Sequence, residues 1–187
     1  CKGKMAPPRT KTGTVSSANS LVGSTDNDAG GDSRVTALSN GNYVVSSPDW
    51  DHDSESDAGA VTWANGASGV SGTISGGNSL VGSKTDDQLG SSGVTALSNG
   101  NYVVSSPNWD NDDTENAGAV TWGNGTTGIK GALSGDNSLI GSTTNDQVGS
   151  SVTALSNGNY VVTSSNWDDG STVNVGAVTW ANGTTGS

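Results

Sequence analysis

The sequence predicts an all-β protein of tandem, four-stranded antiparallel sheets, and three observations predict it. Hydrophobic residues fill only 30% of 187 positions, with no Phe and 29 Gly, a composition that suits short strands, tight turns and a thin core. β-Branched residues alternate with small polar ones, and no window places apolar residues at helical spacing. One unit also recurs. NSLVGS begins at Asn19 and Asn78 and NSLIGS at Asn137, while ALSNGNYVV begins at Ala37, Ala96 and Ala154, a period of 59 or 58 residues.

The second copy shows the elements in order. Residues 94–97 and 102–105 are β-prone runs flanking Ser98-Asn99-Gly100-Asn101, and Asn-Gly is a strong hairpin signal because both residues tolerate positive φ. The two runs are expected to pair antiparallel. Residues 119–122 form a third strand with Val120 and Trp122 on one face, and residues 129–133 a candidate fourth, bounded by Gly. A four-stranded meander at this period describes a blade of a β-propeller. The expected organisation is a basic N-terminal tail (1–12), a first repeat with a leading donor strand (13–76), a second repeat (77–135) and a third lacking its fourth strand (136–187). Three blades are too few to close a ring, so the fold is either open or completed by another chain.

Charge is unevenly spread. Lys2, Lys4, Arg9 and Lys11 precede the first acidic residue, Asp26, and beyond them three basic residues face 18 acidic ones. Such a surface repels nucleic acid and anionic lipid, and favours a cation or a basic partner segment. Cys1 is the single cysteine, so no intrachain disulfide forms. An N-terminal Cys ahead of a polar tether suits lipidation of the kind seen in bacterial lipoproteins, with an arbitrary start point as the alternative. No span reaches the ~20 apolar residues of a transmembrane helix.

The string GSSVTALSNGNYVV, then SSP, then GAVTW, resembles the FG-GAP blades of integrin-α-type β-propellers. It resembles more closely a bacterial repeat of the same style found in large secreted, filamentous-haemagglutinin-like surface proteins. The resemblance covers nearly the whole chain beyond residue 12 and implies an extracellular or cell-surface setting. Integrin-type blades often carry a calcium loop between their first two strands. Here that position holds Ser39-Asn40-Gly41-Asn42, so that site does not carry over.

A different acidic loop follows the second strand. Asp49, Asp51, Asp53 and Asp57 place oxygen ligands at alternate positions, as Ca²⁺ prefers, and the second copy offers Asn108, Asp110, Asp112 and Glu115. The third is sparser, with Asp168, Asp169 and Asn174. A solvated acidic loop is the alternative to Ca²⁺ binding, and no other cofactor is expected. Trp63, Trp122 and Trp180 close the GAVTW strand and are expected to fill the space between sheets. Trp50, Trp109 and Trp167 lie in the polar loop, where each either stacks on a glycan or folds back as a lid, and they are expected to be dispensable for folding.

Nothing in the pattern supports catalysis. His52 is the only histidine and occurs in one copy, and no carboxylate pair stands out. The sequons at Asn124 and Asn182 read as turns. The expected function is a non-catalytic extracellular structural or adhesive module that self-assembles through its sheet edges, its partners being other copies of itself. The alternative is a lectin-like glycan-binding propeller using the loop tryptophans, with or without Ca²⁺. Gly13, Thr14, Val15 and Ser16 repeat a fourth-strand sequence without a blade of their own. They are expected to add to the open edge of the third repeat of a neighbouring molecule or, in a longer chain, to leave that place to the next repeat.

Overall fold

Short polar turns every few residues leave room only for short strands, and the computed structural model contains fourteen of them and no helix among the residues it describes, 13–26, 28 and 34–187. Cys1, the expected lipidation point, and the rest of the basic tail lie outside those residues. In chain order the strands are β1 (Leu21–Val22), β2 (Arg34–Ala37), β3 (Tyr43–Ser47), β4 (Ala60–Ala64), β5 (Gly72–Thr73), β6 (Leu80–Val81) and β7 (Val94–Ala96). There follow β8 (Tyr102–Ser106), β9 (Ala119–Gly123), β10 (Gly131–Ala132), β11 (Ser138–Ile140), β12 (Ser151–Ala154), β13 (Tyr160–Ser164) and β14 (Ala177–Ala181). They form a pair, β1-β5, a first sheet in the order β10-β6-β4-β3-β2, a second sheet, β11-β9-β8-β7, and a third, β12-β13-β14.

Each NYVV hairpin forms antiparallel, with Val94 opposite Val104 and Ala96 opposite Tyr102 in the second sheet. The turn is a four-residue loop. Leu97 N–H donates to the Asn101 carbonyl at 2.8 Å and Gly100 N–H to the Leu97 carbonyl at 3.1 Å. Of the Asn-Gly pair only Gly100 enters the left-handed region, at φ 90°, and the Asn99 side chain instead accepts from Asn101 N–H.

The fourth strand differs from expectation. Gly131–Ala132, inside the candidate span 129–133, pairs parallel with Leu80–Val81 of the first sheet, outside its own sheet. The antiparallel fourth strand of the second sheet is Ser138–Ile140, from the opening of the next copy, with Leu139 opposite Val120. Each sheet therefore takes its outer strands from the repeats that follow. Short runs such as Gly-Ala and Ser-Leu-Ile carry little periodicity, so only the tertiary arrangement shows which edge they join.

The core lies between successive sheets. On β8, Tyr102 and Val104 pack against Leu38, Val44 and Val61 of the first sheet, while Val103 faces the other way, towards Tyr160 and Val162 of the third. A strand buried on both faces needs no polar alternation, which explains the unbroken YVV run. The innermost strands β2 and β7 lie side by side, with the Thr36 hydroxyl 3.5 Å from the Val94 carbonyl.

The tryptophans exchange their expected places. Trp50 and Trp109 are 3% and 4% exposed and belong to the core, Trp167 packs half-buried at its margin, and the strand residue Trp180 is 55% exposed. The loop turns inward because its ends are tied together: Gly118 N–H donates to the Trp109 carbonyl at 2.9 Å and Gly59 N–H to that of Trp50 at 2.8 Å.

Burial also sets the alkaline limit of stability. Desolvation pushes the Tyr102 hydroxyl up to about 12 and raises that of Tyr160. A folded-state value above the unfolded one, about 10, gives stability that is whole below pH 10 and lost as pH rises through the folded value. Denaturant titrations from pH 9 to 12 should show a loss of about 2–3 kcal/mol from Tyr102, using ~1.4 kcal/mol per pH unit, and Tyr102→Phe should flatten that part of the curve.

Candidate assembly interface

Every internal junction between repeats is built from the same contacts. Ser79 and Ser138 set their hydroxyls 2.6 Å from those of Thr62 and Thr121, at the point where the incoming strand meets β4 or β9. The Trp63 indole N–H donates to the Gly125 carbonyl at 3.0 Å and the Trp122 indole to that of Gly183 at 2.9 Å. Asn40 donates to the same Gly125 carbonyl and Asn99 to that of Gly183. Glycine is required at these two positions because a Cβ would stand 1.6 Å from the Gly100 carbonyl oxygen at Gly125, and 1.7 Å from that of Gly158 at Gly183.

A second repeated feature, absent from the sequence-based expectations, is a buried carboxylate that ties down the acidic loop. Asp28, Asp87 and Asp146 are 1%, 0% and 0% exposed. Asp146 accepts from Ser142 N–H at 2.8 Å, Thr143 N–H at 2.9 Å, Asp168 N–H at 3.0 Å and the Thr143 hydroxyl at 2.6 Å. Asp87 receives the matching backbone bonds from Ser83, Lys84 and Asp110, but Lys84 supplies no hydroxyl. The difference shows in acidity. Burial raises all three, yet the hydrogen bonds led by the Thr25 and Thr143 hydroxyls outweigh it and hold Asp28 and Asp146 below the usual carboxylate range. At Asp87 burial prevails and the carboxyl is raised. The signal for this clamp was the spacing G-S-x-x-x-D, present at Gly23, Gly82 and Gly141.

The acidic loop itself is a tight, ordered turn. His52 and Glu55 bond each other's backbones at 2.9 Å, as Asn111 and Thr114 do in the second copy. Asp53, Asp57 and Asp112 have φ of 57°, 52° and 50°, left-handed positions that Asp and Asn tolerate better than most residues. Asp51 and Asp110 accept from the backbone N–H of Asp57 and Asn116 at 2.9 and 2.7 Å. Asp57 is raised by burial and then by repulsion from Asp49, Asp51 and Asp86. Among the described residues no three His, Cys, Asp or Glu side chains gather so as to hold a metal ion. The alternate acidic positions expected to bind Ca²⁺ thus follow from turn geometry and loop closure.

Trp50 and Trp109 offer no ring face to a sugar, their faces being taken up by the core. His52 stacks on Trp50 at 5.2 Å and its Nδ1 lies 2.8 Å from the Gly82 carbonyl, a structural position. Gly13, Thr14, Val15 and Ser16 form no strand here, and Val15 is 77% exposed. Their counterparts one and two repeats on, Gly72–Thr73 and Gly131–Ala132, are strands, paired parallel with Leu21–Val22 and Leu80–Val81.

The model of a repeat of unknown function (DUF5650) matches residues 9–32, 37–91, 96–150 and 154–187. The chain belongs to this repeat family. The matches number four, where three copies were expected, because the two end segments each match in part. Set against the period of 59 residues, the first match covers the closing portion of the unit and the last its opening portion. The matching family is this one and not the FG-GAP blade that the sequence resembles. No curated protein matches the chain.

Proposed function

We propose that this DUF5650 chain is a non-catalytic structural or adhesive repeat module that assembles with other copies of itself through the open edges of its sheets. One observation carries the reading. β14 pairs with β13 on one side only, and beside its free edge Val178 is 73% exposed, although the equivalent Val61 and Val120 are 1% and 2% exposed. A bare, apolar strand edge is a template for pairing with another chain. Stacked four- and five-stranded meanders with inner strands side by side suit blades of a propeller, and the resemblance to secreted surface repeats suits a place at or outside the cell surface. Among the described residues no helix is long and apolar enough to cross a membrane.

Light scattering over a concentration series tests the assembly. The expected result is a mass that rises above the 18.4 kDa of one chain. Val178→Asp, which leaves the core untouched, should weaken association at least tenfold. A protein that stays at the mass of one chain up to its solubility limit would overturn the reading.

A further inference from the structure

The four sheets hold two, five, four and three strands, and the first of the larger sheets shows what a complete one contains: β2, β3 and β4 of one repeat, β6 antiparallel beside β4, and β10 parallel beside β6. Against that pattern the second sheet lacks one outer strand and the third lacks two. The missing pieces are present at the other end of the chain. β1-β5 is a parallel pair of the kind formed by β6-β10, without the antiparallel strand on which β6 rests. Gly13-Thr14 has the sequence phase of β5 and β10 without a partner.

Resting on the assembly reading above, we infer that a second copy docks head to tail by completing both sheets at once. Its β1-β5 pair adds to β14, turning three strands into five, and its Gly13-Thr14 adds parallel to β11, turning four into five. The internal junctions supply the register. Leu139 opposite Val120 and Ser138 opposite Thr121 translate into Leu21 of the second copy opposite Val178 and Ser20 opposite Thr179, while Gly131 opposite Leu80 translates into Gly13 opposite Leu139. The strand that meets the open edge of the third sheet is therefore Ser20 to Val22, and the segment 13–16 expected there lies one sheet away, on β11.

Burial and polar contacts agree with this junction independently. Val15, at one end, is 77% exposed, against 3% for both Ile74 and Leu133 at the same phase. At the other end Leu139 is 41% exposed, against 0% for Leu80. Trp180 is exposed, and the carbonyl that would match Gly125 and Gly183 belongs to Gly66, which is exposed while those two are buried. Gly41 is likewise exposed where Gly100 and Gly158 are covered by Asn40 and Asn99, and Asn157 of a second copy has the phase to cover it. Each unsatisfied group at one end thus has its counterpart at the other. Such a heterologous contact makes a ring if the rotation closes and a filament if it does not.

The hydroxyl contact between Ser138 and Thr121 places those side chains face to face, so cysteines at the equivalent positions should cross-link. In a Cys1→Ser background, Ser20→Cys protein is mixed under oxidising conditions with tagged Thr179→Cys protein, and in parallel with tagged Ser151→Cys protein, whose cysteine sits on the opposite edge strand β12. A mixed disulfide dimer is expected with Thr179→Cys, at least tenfold in excess of that with Ser151→Cys, and Trp180→Phe should abolish the fluorescence shift on association. Association by light scattering with no preference for Thr179→Cys would overturn this junction and leave assembly standing. No association at all would remove both.

Discussion

Replacing Trp109 with Ala is expected to destabilise the protein by about 3–5 kcal/mol, whereas Trp180→Ala should change the stability of the unassociated chain by less than about 0.5 kcal/mol. Trp109 is 4% exposed and packs in one cluster with Leu89, Val104 and Leu133, so truncation opens a cavity between the first and second sheets. Its indole N–H is buried without an acceptor among the described residues, so truncation forfeits packing and no hydrogen bond. Trp180 is over half exposed and covers little. Urea denaturation of the two variants at a concentration below association measures the contrast directly. Equal losses would show that burial does not rank the two sets as described.

Asp146→Ala should cost about 3 kcal/mol or more, because three backbone N–H groups and one hydroxyl lose a single buried acceptor and each stranded group costs about 1–3 kcal/mol where water cannot reach it. The effect should depend on pH. Its folded-state acidity is lowered by the hydrogen bonds that outweigh burial, so the stability it contributes is present above the usual carboxylate range and lost as pH falls through the lowered value. Asp146→Asn, which keeps one acceptor oxygen, should lose less at neutral pH and lack that acid-side dependence. Denaturation curves at neutral and acidic pH separate these outcomes, and an Asp146→Ala protein as stable as the parent would show that the clamp is idle.

The repeat, its period and the hairpins around Asn-Gly were legible in the sequence because turn chemistry and strand propensity act within a few residues. Gly41, Gly100 and Gly158 must adopt positive φ wherever the hairpin sits in the molecule. The acidic loop was legible as a loop but not in purpose. Asp53 and Asp112 read as ligands when spacing alone is considered, and backbone φ shows them to be turn residues. The carboxylates that matter most to the loop, Asp28, Asp87 and Asp146, lie more than twenty residues from the backbone N–H groups of Asp51, Asp110 and Asp168 that they bind, beyond the reach of any local pattern.

Composition, period and turn residues determined by themselves that this chain is all-β, that one unit recurs, and that YVV lies at the centre of each unit. Tertiary structure alone decided which sheet each outer strand joins, since Gly-Thr, Gly-Ala and Ser-Leu-Val are too short to prefer one edge until the neighbouring sheet presents its unpaired N–H and C=O groups. It also decided which tryptophans are core. A loop side chain is buried when the ends of its loop are tied together and the sheet beside it leaves a space, and a strand side chain is exposed when no further sheet covers its face.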